Sequence, residues 1–325
     1  MSQTFFLTGA LGCIGAWVVK TVVDRGDRAV VFDLGGDPRR IRDLLDEETR
    51  SRGVEFVQGD VTDLEAVAGT VESRGARRIV HLAGLQVPFC KADPPLGARV
   101  NVLGTVNVLE AAKRLGIERV VYASSAAVYG PPEDGAPPPD EAAACEPATH
   151  YGVYKRANEG NARVYWLDDG VSSIGIRPLT VYGVGRDQGL TSGPTVAMKA
   201  AVLGRPYTIP FRGATDFNYV ADTAAAFVAC AERGPEGAHV FNLHGDSVAV
   251  PTIVDTIHGQ LPEGAPRTID CDGPELPIPP ALDGTALEAA VPDLPRTPLA
   301  EGIAATMQRF ARLRDEGRLD TRDLD

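Results

Sequence analysis

The sequence predicts a doubly wound α/β fold, a parallel sheet with helices on both faces and a smaller α/β region toward the C-terminal end. Three observations predict it. Short β-branched runs alternate with amphipathic stretches about every 25 residues through the first half, the rhythm of a parallel sheet. A glycine-bearing turn, Thr8 to Gly15, joins the first such run to the first amphipathic stretch. The chain has 325 residues, 44% apolar and 23% charged, which suits about two domains with a large core.

The elements follow in order. Phe5-Phe6-Leu7 reads as the first strand, and Cys13 to Arg25 as a helix with apolar residues three and four apart. Ala29 to Phe32 and Val54 to Val57 read as the second and third strands, and Leu64 to Arg74 as the next helix. Arg78 to His81 and Arg119 to Tyr122 read as strands on either side of a helix from Asn101 to Leu115. Pro131 to Thr149 and Leu261 to Leu282 carry six prolines each and read as long loops. The charged end, Arg312 to Asp325, reads as a frayed helix and a solvated tail. Residues 1–180 are expected to form a dinucleotide-binding domain. It is rejoined by about 219–245, through a helix (Thr223 to Glu232) and a strand (Val240 to Leu243). Residues 181–218 and 246–325 are then the substrate domain.

Composition narrows the function. The 44 acidic and 32 basic residues give a net charge of −12, a surface that repels nucleic acid and anionic lipid. Apolar stretches such as Ala224 to Ala231 fall short of the roughly 18 residues of a membrane span. No basic region precedes Phe5 and the first lysine is Lys20, so no secretion signal is expected. Five scattered cysteines without a C-x-x-C pair predict reduced thiols and a cytoplasmic protein. The five histidines show no metal spacing, and His81 reads as a core residue, so no metal is expected.

The turn reads T-G-A-L-G-C-I-G. Gly9 permits the tight turn, Gly12 lets the backbone approach a pyrophosphate, and Gly15 lets helix pack on strand. The free N–H groups of Cys13 and Ile14 and the helix dipole then face the phosphates. Asp33 closes the second strand, where a carboxylate accepts both ribose hydroxyls of the adenosine and repels a 2′-phosphate, favouring NAD over NADP. Arg39 and Arg40 follow at some distance and leave a mixed preference open. Asp60-Val61 ends the third strand, placed to face the adenine amino group or simply to cap the strand. Cys13 reads as a small buried filler rather than a redox switch.

Tyr151 and Lys155 lie four apart, hence on one helix face. A phenol titrates near 10, and bringing it to about 7 takes roughly 4 kcal/mol, within reach of two close positive charges in a dry cleft. Those charges would be Lys155 and the oxidised nicotinamide ring, and Tyr151 would then serve as general base or acid on a carbinol. Upstream, Y-A-S-S-A-A-V-Y-G (Tyr122 to Gly130) ends a strand at the edge of the sheet where ligands bind in such folds.

With these pieces the chain resembles an extended short-chain dehydrogenase/reductase of the NAD-dependent epimerase/dehydratase family, a Rossmann-type fold. The matching segments are T-G-x-x-G-x-x-G, Asp33, G-D-V-T-D at 59–63, H-L-A-G at 81–84 and V-N-V-L-G-T at 100–105. The serine motif, Y-x-x-x-K at 151–155, R-P-L-T-V-Y-G at 177–183, D-F-N-Y-V-A-D at 216–222 and T-P-L-A-E-G-I at 297–303 follow in the right order. The resemblance implies that Ser125, rather than Ser124, hydrogen-bonds the reacting oxygen. It implies that Asn101 is the active-site asparagine or a helix-start cap, and that Lys155 also holds the nicotinamide ribose. Leu82, Ala83 and Gly84 would line the cofactor. It further implies hydride transfer to NAD while Tyr151 takes the hydroxyl proton, and a homodimer through the helices carrying Asn101 to Leu115 and Tyr151 to Trp166.

Departures narrow the reaction. Family dehydratases carry an Asp-Glu pair after the Ser/Thr and decarboxylases a Glu; here Ala126 and Ala127 stand there and cannot move protons. Nucleotide-sugar epimerases resemble R-Y-F-N, with the Asn at the substrate diphosphate, where this chain has Thr180. They also tend to carry an arginine where this chain has Thr215, before Asp216-Phe217, and Tyr154 stands where the family often has Ser. Arg186, Arg205 and Arg212 remain as substitutes. Arg186, Gln188, Thr191 and Ser192 gather in the polar loop Gly185 to Thr195, which suits a polyhydroxylated substrate or an ordinary turn. The leading expectation is an NAD-dependent oxidoreductase acting on a secondary alcohol of a sugar or sugar acid. A nucleotide-sugar (UDP-sugar) 4-epimerase with tightly held NAD is the second, and a non-catalytic NAD-sensing protein the third.

Overall fold

The chain folds around seven parallel strands, described by a computed structural model over residues 2–133 and 135–324. Met1, Asp134 and Asp325, which the domain, loop and tail expectations include, lie outside the described residues. The strands are β1 (Thr4–Thr8), β2 (Arg28–Asp33), β3 (Val54–Gln58), β4 (Arg78–His81), β5 (Arg119–Ala123) and β6 (Ser173–Arg177). β7 (Thr180–Tyr182), β8 (Tyr207–Ile209) and β9 (Ala214–Tyr219) leave this sheet, and β10 (Ala238–Asn242) pairs with β6 within it. β11 (Asp246–Ala249) and β12 (Ile269–Cys271) complete the set.

The order across the large sheet is β10-β6-β5-β4-β1-β2-β3, every pairing parallel. This is the doubly wound fold that the sequence rhythm predicts. Connections run one way from β1 and the other way from β4, so a crevice opens between these neighbours at their C-terminal ends. Helices cover both faces because the central strands are apolar on both. Phe5, Leu7 and Val31 pack on the face of helices Cys13–Asp24 and Val220–Arg233. Phe6, Val30, Ile79 and Val120 pack on that of Leu64–Ser73 and Gly104–Leu115.

The substrate-side half is smaller and mixed. β9 lies between β7, which it pairs in parallel, and β11, which it pairs antiparallel, while β8 and β12 form a two-stranded parallel pair. Three details differ from the sequence reading. The proline-rich run Leu261 to Leu282 contains β12, since Ile269 buries itself and Tyr207 supplies a register partner. The expected helix Asn101 to Leu115 begins with a π-turn, Arg99–Leu103, before the α-helix Gly104–Leu115. The charged end is not a solvated tail: after the helix Leu299–Asp315 it turns back, and Asp323 pairs with the buried Lys199 at 2.7 Å. Asp320 meets Arg39 and its carbonyl accepts from Lys199. Complementary charge on the body captures what the composition alone would leave in water. No helix among the described residues is long and apolar enough to cross a membrane.

Candidate active site

The turn after β1 is shaped by the two glycines that cannot be anything else. Gly9 sits at φ +65°, and a Cβ there would lie 2.5 Å from the backbone nitrogen of Ala83 at the end of β4. A Cβ on Gly15 would lie 2.5 Å from the Gly9 carbonyl oxygen. Gly12 N donates to Gly9 O at 3.0 Å and caps the first helix with no side chain of its own. The leading amides of Cys13 and Ile14 therefore face the crevice uncapped, a cradle whose shape and polarity fit a dinucleotide pyrophosphate. Burial pushes the Cys13 thiol up to about 12, with Arg186 and Arg40 pulling against it, so it is an inert filler of the turn.

Asp33 stands at the end of β2 with Oδ2 accepting from Leu11 N at 3.2 Å and Oδ1 from Leu34 N at 2.9 Å. Burial raises its pKa, which these two amides oppose. Arg39 and Arg40, the neighbours that could draw in an extra phosphate, are both paired with Asp187 at 3.0 and 2.6 Å. Arg40 also donates to Leu11 O and Gly185 O. Asp60 accepts from Thr62 N at 2.8 Å, a turn of its own making, and the buried Val61 offers its carbonyl to Asn107.

On the β4 side Leu82 N donates to Thr8 O and Ala83 N to Thr8 Oγ1, which binds β4 to β1 beyond the last ladder pair. His81 bridges Thr8 Oγ1 (2.6 Å) and Thr105 Oγ1 (3.0 Å), and burial pushes its pKa down to about 3, so it is a neutral core residue. A Cβ on Gly84 would lie 3.1 Å from Asn101 Oδ1 and 3.6 Å from Lys155 Nζ. The backbone there borders the space that a nicotinamide ribose would need.

Asn101 is buried inside the π-turn, a distortion frequent at functional sites. Its Oδ1 accepts from Leu85 N at 2.6 Å and its Nδ2 donates to Leu85 O at 2.9 Å and Cys90 Sγ at 3.3 Å. These bonds fix the loop after β4, so the side chain does not act as a helix-start cap.

Tyr151 and Lys155 lie on the helix His150–Asp169, capped by Thr149, whose Oγ1 accepts from Gly152 N. The Ser125 hydroxyl lies close enough to the Tyr151 phenol to hold its pKa down. Lys155 Nζ donates to Ala123 O at 2.7 Å and sits 5.5 Å from the centre of the Tyr151 ring. Burial pushes Lys155 down to about 8. Burial also raises Tyr151, opposed by the Ser125 hydroxyl and the charge of Arg186. The protein's own opposition to that rise thus comes first from Ser125 and then from Arg186, a contribution the spacing of Tyr151 and Lys155 does not reveal. Ser125 Oγ also accepts from Ala127 N, capping the short turn Ala126–Val128. Ser124 faces elsewhere: its Oγ donates to Glu159 Oε1 at 2.6 Å.

The substrate-side residues come together in part. Arg186 Nη2 donates to Thr191 Oγ1 at 3.0 Å, and Ser192 Oγ bonds Gly189 O within its own turn. Thr180 is wholly buried, its hydroxyl 2.7 Å from that of Thr215. The two positions where the resemblance expects an asparagine and an arginine thus satisfy each other. Gln86, which sequence reasoning passes over, borders this loop. Among the described residues its Oε1 and Arg186 Nε are buried with no protein partner. Its signal is its place two residues after the H-L-A-G run. No group of three or more His, Cys, Asp or Glu among the described residues is placed to hold a metal.

A dinucleotide cradle at the switch point of a parallel sheet, facing a Ser-Tyr-Lys set, defines a nicotinamide-dependent enzyme of carbinol chemistry. The sequence profile of the NAD dependent epimerase/dehydratase family matches residues 5–243, and the chain belongs to that family of NAD-dependent enzymes. It is similar to the UDP-glucose 4-epimerase of Mycolicibacterium smegmatis, 31% identical over 317 residues, 94% of this chain and 97% of that one. UDP-glucuronate 4-epimerase 1 of Arabidopsis thaliana is 30% identical over 293 residues, 80% of this chain and 65% of that one. Among solved structures it resembles the Thermus thermophilus UDP-glucose 4-epimerase in complex with NAD. That likeness has a TM-score of 0.78 and 25% identity, and covers 95% of this chain and 99% of that one.

Proposed function

We propose that the protein is an NAD-dependent 4-epimerase of a UDP-sugar, working by reversible hydride transfer at a secondary alcohol. The observation that carries the chemistry is the juxtaposition of Ser125, Tyr151 and Lys155 beside the glycine cradle, followed by Ala126 and Ala127, whose side chains can neither give nor take a proton. Water removal and decarboxylation have no acid or base there. The near-complete overlap with UDP-sugar epimerases supports the substrate class.

In this reading Gly9, Gly12, Cys13, Ile14, Gly15, Asp33, Asp60, Val61, Leu82, Ala83, Gly84 and Asn101 surround the cofactor, with Asp33 selecting NAD. NAD, when bound there, would supply a hydride acceptor. Ser125 donates a hydrogen bond to the reacting oxygen, and Tyr151 takes its proton as the carbon becomes a ketone. Lys155 holds the ribose and favours the phenolate by its charge. Tyr151 would return that proton to the same oxygen, and bound NAD would supply the reversible hydride acceptance that lets the carbon invert without net oxidation. Arg186, Thr191 and Gln86 would meet the polar groups of the substrate and Ser192 would border it, while the buried Thr180 would reach it only by turning its hydroxyl away from Thr215. Incubation with UDP-glucose or UDP-galactose should interconvert the two without releasing NADH.

A second reading, a dehydrogenase of a free sugar or sugar acid, is favoured by the neutral Thr180–Thr215 pair where a charged diphosphate contact is expected. It would produce NADH, read at 340 nm, from a sugar without a nucleotide. In both readings residues 1–180 with about 219–245 form the dinucleotide domain and 181–218 with 246–325 the substrate domain. Both also take the protein as cytoplasmic and homodimeric. Phe89, Leu96, Leu103, Val153, Val164 and Leu167 are exposed apolar side chains on the helical face that a second copy would cover. Sedimentation showing a monomer at micromolar concentration would overturn the dimer.

A further inference from the structure

Three successive inward turns of one helix hold three consecutive residues of one strand end. Tyr151, Lys155 and Glu159 are spaced by four and share a face of the helix His150–Asp169. Tyr151 faces Ser125, Lys155 Nζ donates to Ala123 O at 2.7 Å, and Glu159 Oε1 accepts from Ser124 Oγ at 2.6 Å. The first two contacts belong to the reacting set. The third involves groups that do not reach a substrate: Ser124 is 1% exposed and Glu159 4%.

Glu159 is neutralised from the other side. Arg177, at the end of β6 and 1% exposed, grips it with Nε on Oε1 and Nη2 on Oε2, both at 2.7 Å. Its remaining arm donates to Tyr129 Oη at 2.6 Å, and Tyr129 donates to Asn242 Oδ1 of β10 at 2.7 Å. Tyr129 directly follows the turn that Ser125 caps. One buried ion pair therefore holds the chain on both sides of Ser125, at Ser124 and at Tyr129.

We infer that Glu159, acting through Ser124, is a positioning residue for the reaction: with Arg177 it fixes Ser125 against Tyr151. Burying a bidentate carboxylate–guanidinium pair is seldom the most stable filling of a core. It does fix geometry, because a planar fork accepts one arrangement. Reacting groups misplaced by about 1 Å lose on the order of 100-fold in rate. The inference rests on the reading of Ser125 and Tyr151 as reacting groups.

The charged and titratable groups around Glu159 are Arg177 from β6, Arg156 from its own helix, Tyr122 from β5 and, across Arg177, Tyr129 from the following turn. Around Tyr151 they are Lys155 on the same helix, Cys90 and Arg186. Replacing Glu159 by glutamine keeps the shape and removes a negative charge, so Arg177 is left uncompensated. The grip on Ser124 loosens and Ser125 with it, which weakens the Ser125 contribution that holds the Tyr151 phenol down, so the acidic limb of kcat against pH moves to higher pH.

The test uses the full-length protein with NAD, and Ser124→Ala, Glu159→Gln and Tyr151→Phe compared for kcat, KM, calorimetric NAD affinity and the pH profile of kcat. Ser124→Ala keeps the ion pair, so it should fold normally. It should lose about tenfold in kcat with KM and NAD affinity nearly unchanged and the acidic limb moved to higher pH. Glu159→Gln should lose at least as much and shift that limb upward too, which a purely structural defect would not do. Wild-type kcat in Ser124→Ala, beside an inactive Tyr151→Phe, overturns the positioning role and leaves the reading of Tyr151 standing. A Glu159→Gln protein that only melts earlier, with kcat and limb unmoved, overturns it as well. If Glu159→Gln does not fold, Ser124→Ala decides alone. Full activity in Tyr151→Phe instead overturns the underlying reading.

Discussion

On the cofactor side of the crevice a ligand meets main chain. The turn after β1 offers amides, carbonyls and close backbone approaches at Gly9 and Gly15, and Asp33 at the end of β2 accepts from its Leu11 amide. On the proposed substrate side it meets side chains that already answer one another: Arg186 with Thr191 and Thr180 with Thr215. The first kind of site tolerates almost no change of residue, because a Cβ has nowhere to go. The second can be rewired one pair at a time while the sheet beneath stays as it is. The shape of the cradle is therefore held by backbone that few residues fit, and the side-chain pairs opposite it are the adjustable part.

The largest expected effect lies where the two sides meet. Tyr151→Phe removes the proposed proton acceptor and leaves the ring and its packing, so turnover should fall by about 10²–10⁴-fold while calorimetric NAD affinity persists. Lys155→Ala should impair both, because its ammonium lies 5.5 Å from the Tyr151 ring and near Gly84, where the proposed reading puts the ribose. Equal loss of NAD binding in the two variants would erase the distinction between cofactor side and reacting side.

The contrast also explains what could be read from the sequence. A backbone site carries a local signature, since glycine is required wherever φ is positive or a neighbouring chain comes too close. Gly9, Gly12 and Gly15 announce the cradle, and β-branched runs announce β1 to β5. The Tyr151–Lys155 spacing is legible for the same reason, being one helical turn. What stays hidden is pairing across sequence distance. That Thr180 meets Thr215, that Glu159 is bound by Arg177, or that Asp320 and Asp323 fold back on Arg39 and Lys199 depends on tertiary placement. Each partner alone is an ordinary polar residue. The π-turn at Arg99–Leu103 is equally silent, because its sequence has helical periodicity.

The cofactor side can be broken at a single atom. Gly9→Ala places a methyl 2.5 Å from the backbone of Ala83 and forces φ +65° on a residue with a side chain. Overpacking against main chain should cost roughly 2–3 kcal/mol of stability and weaken NAD binding, read by thermal melting with and without NAD. A melting curve like the parent's would mean that the turn has more room than its geometry indicates.

Asp33→Ala is smaller and chemically specific. In the proposed reading the Asp33 carboxylate keeps a 2′-phosphate out, and Arg39 and Arg40 are paired with Asp187. The ratio of kcat/KM for NAD over NADP should fall by about tenfold through loss of NAD efficiency. A large gain in NADP efficiency would show instead that the Asp187 pairs open readily and free an arginine for the phosphate.

The smallest effect tests the adjustable side. Thr215→Val keeps volume and deletes one hydroxyl, leaving Thr180 Oγ1 buried with its partner gone. That should cost about 1 kcal/mol, whereas the double replacement Thr180→Val with Thr215→Val removes both polar groups and should recover most of it. The kinetics then separate two roles for Thr180. If its hydroxyl only satisfies Thr215, the double variant keeps the KM for substrate, and the pair is a neutral floor. If the hydroxyl turns from Thr215 to the substrate on binding, KM rises in the double variant although stability is restored. It falls, if anything, in Thr215→Val, where Thr180 is already free. A KM unchanged in all three proteins would place the substrate away from β7, and the determinants of its choice would then lie with Arg186, Thr191 and Gln86.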